Sequence, residues 1–129
     1  VFLTMKTIAT PNAPAAVGPY AQAVQAGDFL FLSGQIPLVP ETGLLVSENV
    51  SEQTEQVMKN IRAVCEAAGG SLAKIVKCSV FLTDLGNFQA MNDVYARHFG
   101  DHKPARSTFQ VAALPRGASV EIEAIMYLK

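Results

Sequence analysis

The chain has 129 residues, of which half are hydrophobic and 16% charged, and its formal net charge is −1. That is enough for one domain, expected to span 1–129, with a real core but no deep cleft of its own. A near-neutral charge without a basic cluster argues against nucleic-acid binding through phosphate neutralisation, and no run reaches the roughly 18 apolar residues of a membrane span.

So apolar a small chain is expected to bury surface against another subunit, because large exposed apolar areas usually mark association. Val1-Phe2-Leu3-Thr4, ahead of Met5, read as an extension without functional weight. Prolines 11, 14 and 19 keep the first twenty residues extended, since proline lacks the amide proton a helix needs. Residues 21–26 and 29–33 read as two strands joined through Gly27-Asp28, a hairpin signal. Ser33-Gly34-Gln35 ends the second strand, and Pro37, Pro40 and Gly43 make a loop. A helix is predicted over 51–68. Ser51 can cap it, Glu52 and Glu55 suit its positive end, and Val57, Ile61, Val64, Cys65 and Ala68 fall on one face. Gly69-Gly70 stop it.

Residues 75–83, rich in β-branched and aromatic side chains, read as a strand. Asp84 or Asn87 could cap a second helix ending at Phe99, with Phe88, Met91, Tyr95 and Phe99 as its apolar stripe and Gly100 as its stop. Strands follow at 106–111 and 119–128; in the last, Val120, Ile122, Ala124, Met126 and Leu128 alternate against Glu121, Glu123, Ile125 and Tyr127. Two helices with one apolar face each pack most economically on one face of a mixed sheet, which leaves the other face for a neighbouring subunit.

Arg106 is the chemically salient residue. It lies in Pro104-Ala105-Arg106-Ser107-Thr108-Phe109-Gln110-Val111, an extended stretch with no other charge, and is one of only four arginines. A guanidinium in low dielectric needs an anion, and its planar fork suits a carboxylate or phosphate gripped by two parallel hydrogen bonds. A structural ion pair with Glu121 or Glu123 is the competing reading. Glu121, on the polar side of an apolar strand, is either solvated or a partner that could orient a water. Tyr20, fixed behind Pro19, is a packing residue or a phenol at a pocket edge; Asn92 is a polar group on the second helix. His98 and His102 have a spacing that can hold zinc on a continuous helix, but Gly100 interrupts it, and both are expected to be solvated at the helix end. Lys74 and Lys77 are read as solvated as well. Cys65 and Cys78 lack metal-knuckle spacing and are expected to be reduced, buried thiols in a cytoplasmic protein. No metal site, nucleophile elbow or phosphate loop is evident.

Three separated motifs in order, Gly18-Pro19-Tyr20, Ser33-Gly34-Gln35-Ile36-Pro37, and Pro104-Ala105-Arg106-Ser107 continuing to Val120-Glu121-Ile122-Glu123-Ala124, resemble the RidA/YjgF-type reactive intermediate deaminases from Met5 to the C-terminus. The resemblance implies an α+β, chorismate-mutase-like subunit: a six-stranded mixed sheet with two helices on one face, assembled as a homotrimeric barrel with three inter-subunit clefts. It also implies hydrolysis of 2-imino acids, derived from 2-aminoacrylate or 2-aminocrotonate, to 2-oxo acids and ammonia without metal or organic cofactor. Arg106 would hold the substrate carboxylate and Glu121 the attacking water. Tyr20, Asn92 and the backbone of Ser33-Gly34 would line the pocket. Thr108 stands where the family often has cysteine, which puts thiol-based regulation there in doubt. Alternatives are a non-catalytic binder of small 2-oxo acids, which would need Arg106 but not Glu121, and RNA cleavage, which the neutral charge disfavours.

Overall fold

The structure, a computed structural model, describes residues 5–129; the tetrapeptide read as an extension lies outside the described residues. Six strands, β1 (Met5–Ile8), β2 (Ala23–Ala26), β3 (Phe29–Gln35), β4 (Ile75–Leu82), β5 (Ala105–Gln110) and β6 (Val120–Tyr127), form one sheet in the order β1-β2-β3-β6-β4-β5. Only β4 and β5 run parallel; the other neighbouring pairs are antiparallel. Two helices, α1 (Val50–Ala67) and α2 (Phe88–Phe99), supply the second layer. The expected mixed sheet with two helices is therefore present.

The elements follow from local chemistry. Gly27, at φ +61°, makes the β2–β3 hairpin turn that an L side chain would strain. The α1 cap is Asn49 rather than Ser51: its Oδ1 accepts from the Glu52 amide at 2.9 Å, and Ser51 lies inside the first turn. Asp84 accepts from the Gly86 amide at 2.8 Å and caps a single 3₁₀ turn, Leu85–Asn87, that leads into α2; Asn87 makes no side-chain cap. The strand β1 went unforeseen. Its Met-Lys-Thr-Ile has no turn signal beside it, and pairing with β2 in the register Met5↔Ala26 to Ile8↔Ala23 is what makes it a strand.

The core lies between the sheet and the helices. Leu30 and Leu32 from β3, Cys78, Val80 and Leu82 from β4, and Ile122, Ala124 and Met126 from β6 meet Val57, Ile61, Val64 and Cys65 of α1 and Met91 of α2. Both cysteines are free and buried, as expected. Burial pushes the Cys65 thiol up to about 12 and the Cys78 thiol up to about 11, so neither is a ready nucleophile.

The opposite sheet face carries no helix. Phe29, Phe31, Phe109 and Tyr127 stay 41–50% exposed on that side, with Phe29 against Tyr127 and Phe81 stacked on Phe109. Lys77, Ser79 and Glu123 share the middle of the face with Phe31 and Ile125 around a recess of about 280 Å³. No described helix is long and apolar enough to cross a membrane.

The expectation of solvated histidines fails. His98 is a clasp between the helices, with Nε2 at 2.8 Å from Glu55 Oε1 and Nδ1 at 3.2 Å from Arg62 Nη2, and its side chain is 9% exposed. That hydrogen bond holds the Glu55 carboxyl below the usual carboxylate range. His102 Nε2 lies 2.6 Å from the Ile75 carbonyl. Among the described residues no cluster of His, Cys, Asp and Glu is placed to bind a metal.

Candidate functional site

The expected site residues fall into two groups. Arg106 and Asn92 form the first. In the parallel β4–β5 register Arg106 lies opposite Cys78, which is buried on the helix side, so the arginine points toward α2. There its Nη1 donates to Asn92 Oδ1 at 2.8 Å. The guanidinium carbon sits 4.8 Å from the centre of the Tyr95 ring and 5.4 Å from that of Phe88. Among the described residues no carboxylate lies within 4.0 Å of it. The ion pair with Glu121 or Glu123 is thus not made. A guanidinium has five N–H donors; one is used by Asn92, and a recess of about 400 Å³ opens beside it, lined also by His102 and Lys103. Thr108, two residues along the same strand, shares this face opposite Val80.

Glu121, Tyr20, Ser33 and Gly34 form the second group, around a separate recess of about 480 Å³. A β-bulge creates it. Leu32 pairs with Ala124 but Gln35 with Ile122, so Ser33-Gly34 holds one residue too many for the ladder. The bulge turns Gly34 under Glu121: a Cβ at position 34 would come within 2.8 Å of Glu121 Cδ and overlap a carboxylate oxygen. Ser33 Oγ donates to the Ala21 carbonyl at 2.6 Å, fixing the bulge to the chain that bears Tyr20. Tyr20 is 53% exposed at the rim. Burial, and then the neighbouring Glu123 charge, raise the Glu121 carboxyl above its ordinary value.

Buried carboxamides that gave no motif in the sequence hold this recess open. Gln22 Nε2 donates to the carbonyls of Thr10, Ala13 and Pro14, and its Oε1 accepts from the Thr10 amide at 2.7 Å. Asn60 Nδ2 donates to the Leu38 carbonyl at 3.0 Å, and Gln53 joins the Ser47 carbonyl to the Ser119 amide. Unsatisfied amides cost too much to bury, so each fixes the loop it bonds. Phe88 and Tyr95 were visible only as an apolar stripe. Their spacing of four and three residues about Asn92 is the signal that could have tied them to Arg106.

The two groups cannot serve one small ligand within a protomer. Glu121 lies opposite Phe81 and points to the open face, whereas Arg106 points to the helix face. Two strand spacings and three residues of rise separate their backbones by roughly 14 Å.

Residues 10–128 match the family model described as Endoribonuclease L-PSP. The chain belongs to this family, that of the RidA/YjgF-type reactive intermediate deaminases. The L-PSP relatives include 2-iminobutanoate/2-iminopropanoate deaminase of Salmonella typhimurium, 50% identical over 93% of this chain and 95% of its own. Among solved structures of the family, RidA from an Antarctic Psychrobacter species superposes with a TM-score of 0.91 at 52% identity, covering 95% of this chain and 98% of that one. E. coli TdcF, solved with bound serine, superposes equally well at 44% identity, with the same coverage.

Proposed function

We propose that this protein hydrolyses 2-imino acids derived from 2-aminoacrylate and 2-aminocrotonate to 2-oxo acids and ammonia, in clefts completed between subunits of a homotrimer. The observation that carries the reading is Arg106: a half-buried guanidinium that, among the described residues, has one side-chain hydrogen bond, to Asn92, and no anion beside it. Its free N–H groups match the two oxygens of a small carboxylate. Membership in a family with curated imine deaminases supplies the reaction class.

The chemistry suits so sparse a site. Protonated imines hydrolyse unaided, so orientation and one aimed water suffice. Arg106 grips the carboxylate with Thr108 beside it on the strand. Glu121 accepts a hydrogen bond from the water and takes its proton as oxygen adds to the imine carbon. Protonated Glu121 then gives that proton to the carbinolamine nitrogen, ammonia leaves, and the restored carboxylate takes the hydroxyl proton as the 2-oxo acid forms; that proton departs with the product as ammonium. A carboxyl raised by burial is a better base than a solvated one. The Gly34 backbone leaves room for it, and Tyr20 closes the rim. The unhelixed aromatic face supports assembly, and the family's trimer would set the Arg106 edge of one copy against the Glu121 recess of the next.

The test generates 2-aminoacrylate with a serine dehydratase and follows pyruvate release above the spontaneous rate. Arg106→Ala is expected to remove the acceleration. Arg106→Lys should lose at least about tenfold in kcat/KM, because an ammonium cannot replace the fork. Full activity in Arg106→Ala would overturn the reading. TdcF was solved with serine, a small carboxylate, which supports a second reading, binding of small carboxylates such as 2-oxo acids without turnover; in that case the wild-type protein leaves the spontaneous rate unchanged yet binds pyruvate through Arg106.

A further inference from the structure

Arg106 is held by more than Asn92. Residues 88, 92 and 95 stand four and three apart on α2 and so share one face of the helix. All three point at the same guanidinium: Phe88 and Tyr95 present ring faces at 5.4 and 4.8 Å, and Asn92 takes Nη1. The Tyr95 ring is itself packed against Phe99, with ring centres 4.7 Å apart. Its hydroxyl is buried against the Cys78 thiol, a weak partner at best, and among the described residues it has no oxygen or nitrogen partner. The hydroxyl thus meets the core thiol, and the ring is the part of Tyr95 that meets Arg106. An aromatic face carries negative quadrupole density that attracts a cation within about 6 Å. It can hold a guanidinium flat while using none of its N–H donors, which a carboxylate partner could not do.

We propose that Tyr95 and Phe88 are positioning residues of the imine site, an aromatic cradle that fixes the Arg106 plane and leaves its donor edge free for the substrate carboxylate. The proposal rests on the assignment of Arg106 as the carboxylate clamp and adds the device that aims it. The effect of both residues passes through Arg106 and belongs mainly to ligand affinity.

Two measurements test the cradle on the full-length chain: KM and kcat in the dehydratase-coupled assay, and the affinity for 2-oxobutanoate by calorimetry. Tyr95→Phe is expected to keep wild-type KM and affinity, because it keeps the ring and removes only a hydroxyl that meets the Cys78 thiol. Tyr95→Leu and Phe88→Leu should each weaken 2-oxobutanoate binding about fivefold to tenfold and raise KM more than they lower kcat. The decisive series places phenylalanine, then its mono-, tri- and penta-fluorinated forms, at position 95. Fluorine drains the ring face while nearly preserving its size. Affinity should fall stepwise with fluorination while the Tm stays level, a trend that a merely packed ring does not produce. Flat affinity across the series, together with wild-type binding in Phe88→Leu, would overturn the cradle. Failure of the clamp itself looks different: Arg106→Ala would then bind and turn over normally, whatever stands at position 95.

Discussion

Arg106 and Glu121 are each defined by what surrounds them. The arginine keeps most of its donors because its supports, a carboxamide oxygen and two ring faces, bring no negative charge. The carboxylate is raised by burial and by Glu123, and this has two consequences of known sign. Activity that needs the ionised form should fall as pH drops through the raised value, so the acid limb of kcat should lie above the ordinary carboxylate range. Stability runs the other way. A carboxyl whose pKa is raised on folding favours the fold below its unfolded value, and that contribution is lost as pH rises through the folded one. Glu121→Gln should therefore lower kcat about tenfold to a hundredfold while raising the Tm at neutral pH. The gain in Tm should vanish in acid. Thermal melts of both proteins from pH 3 to 8, beside the rate profile, check this; a variant less stable than wild type at neutral pH would show that the charged form is stabilised by a partner.

At the scale of elements, the site is built from irregularities. The bulge in β3 and the loops tied by Gln22, Asn60 and Gln53 shape the surroundings of the Glu121 recess, and the capped 3₁₀ turn leads into α2, which holds Arg106. Gln22 makes four bonds to the segment that carries Pro14 and leads to Tyr20. Gln22→Ala leaves several of those backbone groups unsatisfied. It should cost about 2 kcal/mol, roughly 8 °C in Tm for a chain of this size, and raise KM more than it lowers kcat. Gly34→Ala should be the opposite kind of variant, with a near-normal fold and a turnover as poor as that of Glu121→Gln, since the added methyl takes the carboxylate's place. Circular-dichroism melts and steady-state rates separate the two. This is also where the sequence ran out. Period-2 and helical patterns located β2–β6 and both helices because burial imposes those periods. The strand β1, the Asn49 cap, the carboxamide ties and the His98 clasp depend on which backbone or side-chain groups arrive nearby, and no local pattern records that. Arg106 was legible as the one charge of an extended stretch and Glu121 as a charge on the polar side of an apolar strand; the aromatic partners of Arg106 looked like ordinary core.

For the whole molecule the decisive fact is that the two groups proposed to form one site face away from each other. One sheet side is sealed by helices, and the other exposes Phe29, Phe31, Phe109 and Tyr127. A folded monomer with that face wet would be prone to associate, and a head-to-tail ring sets a different patch of each copy against its neighbour. Sedimentation at micromolar concentration should return a trimer. The most direct test of the shared cleft mixes Arg106→Ala and Glu121→Gln subunits, each inactive or nearly so alone, after dissociation and reassembly. In a random ring, roughly a quarter of the clefts regain both wild-type groups. Imine hydrolysis should rise to about that fraction of the wild-type rate. Mixed trimers, verified by mass, that stay no more active than the separate variants would contradict the account.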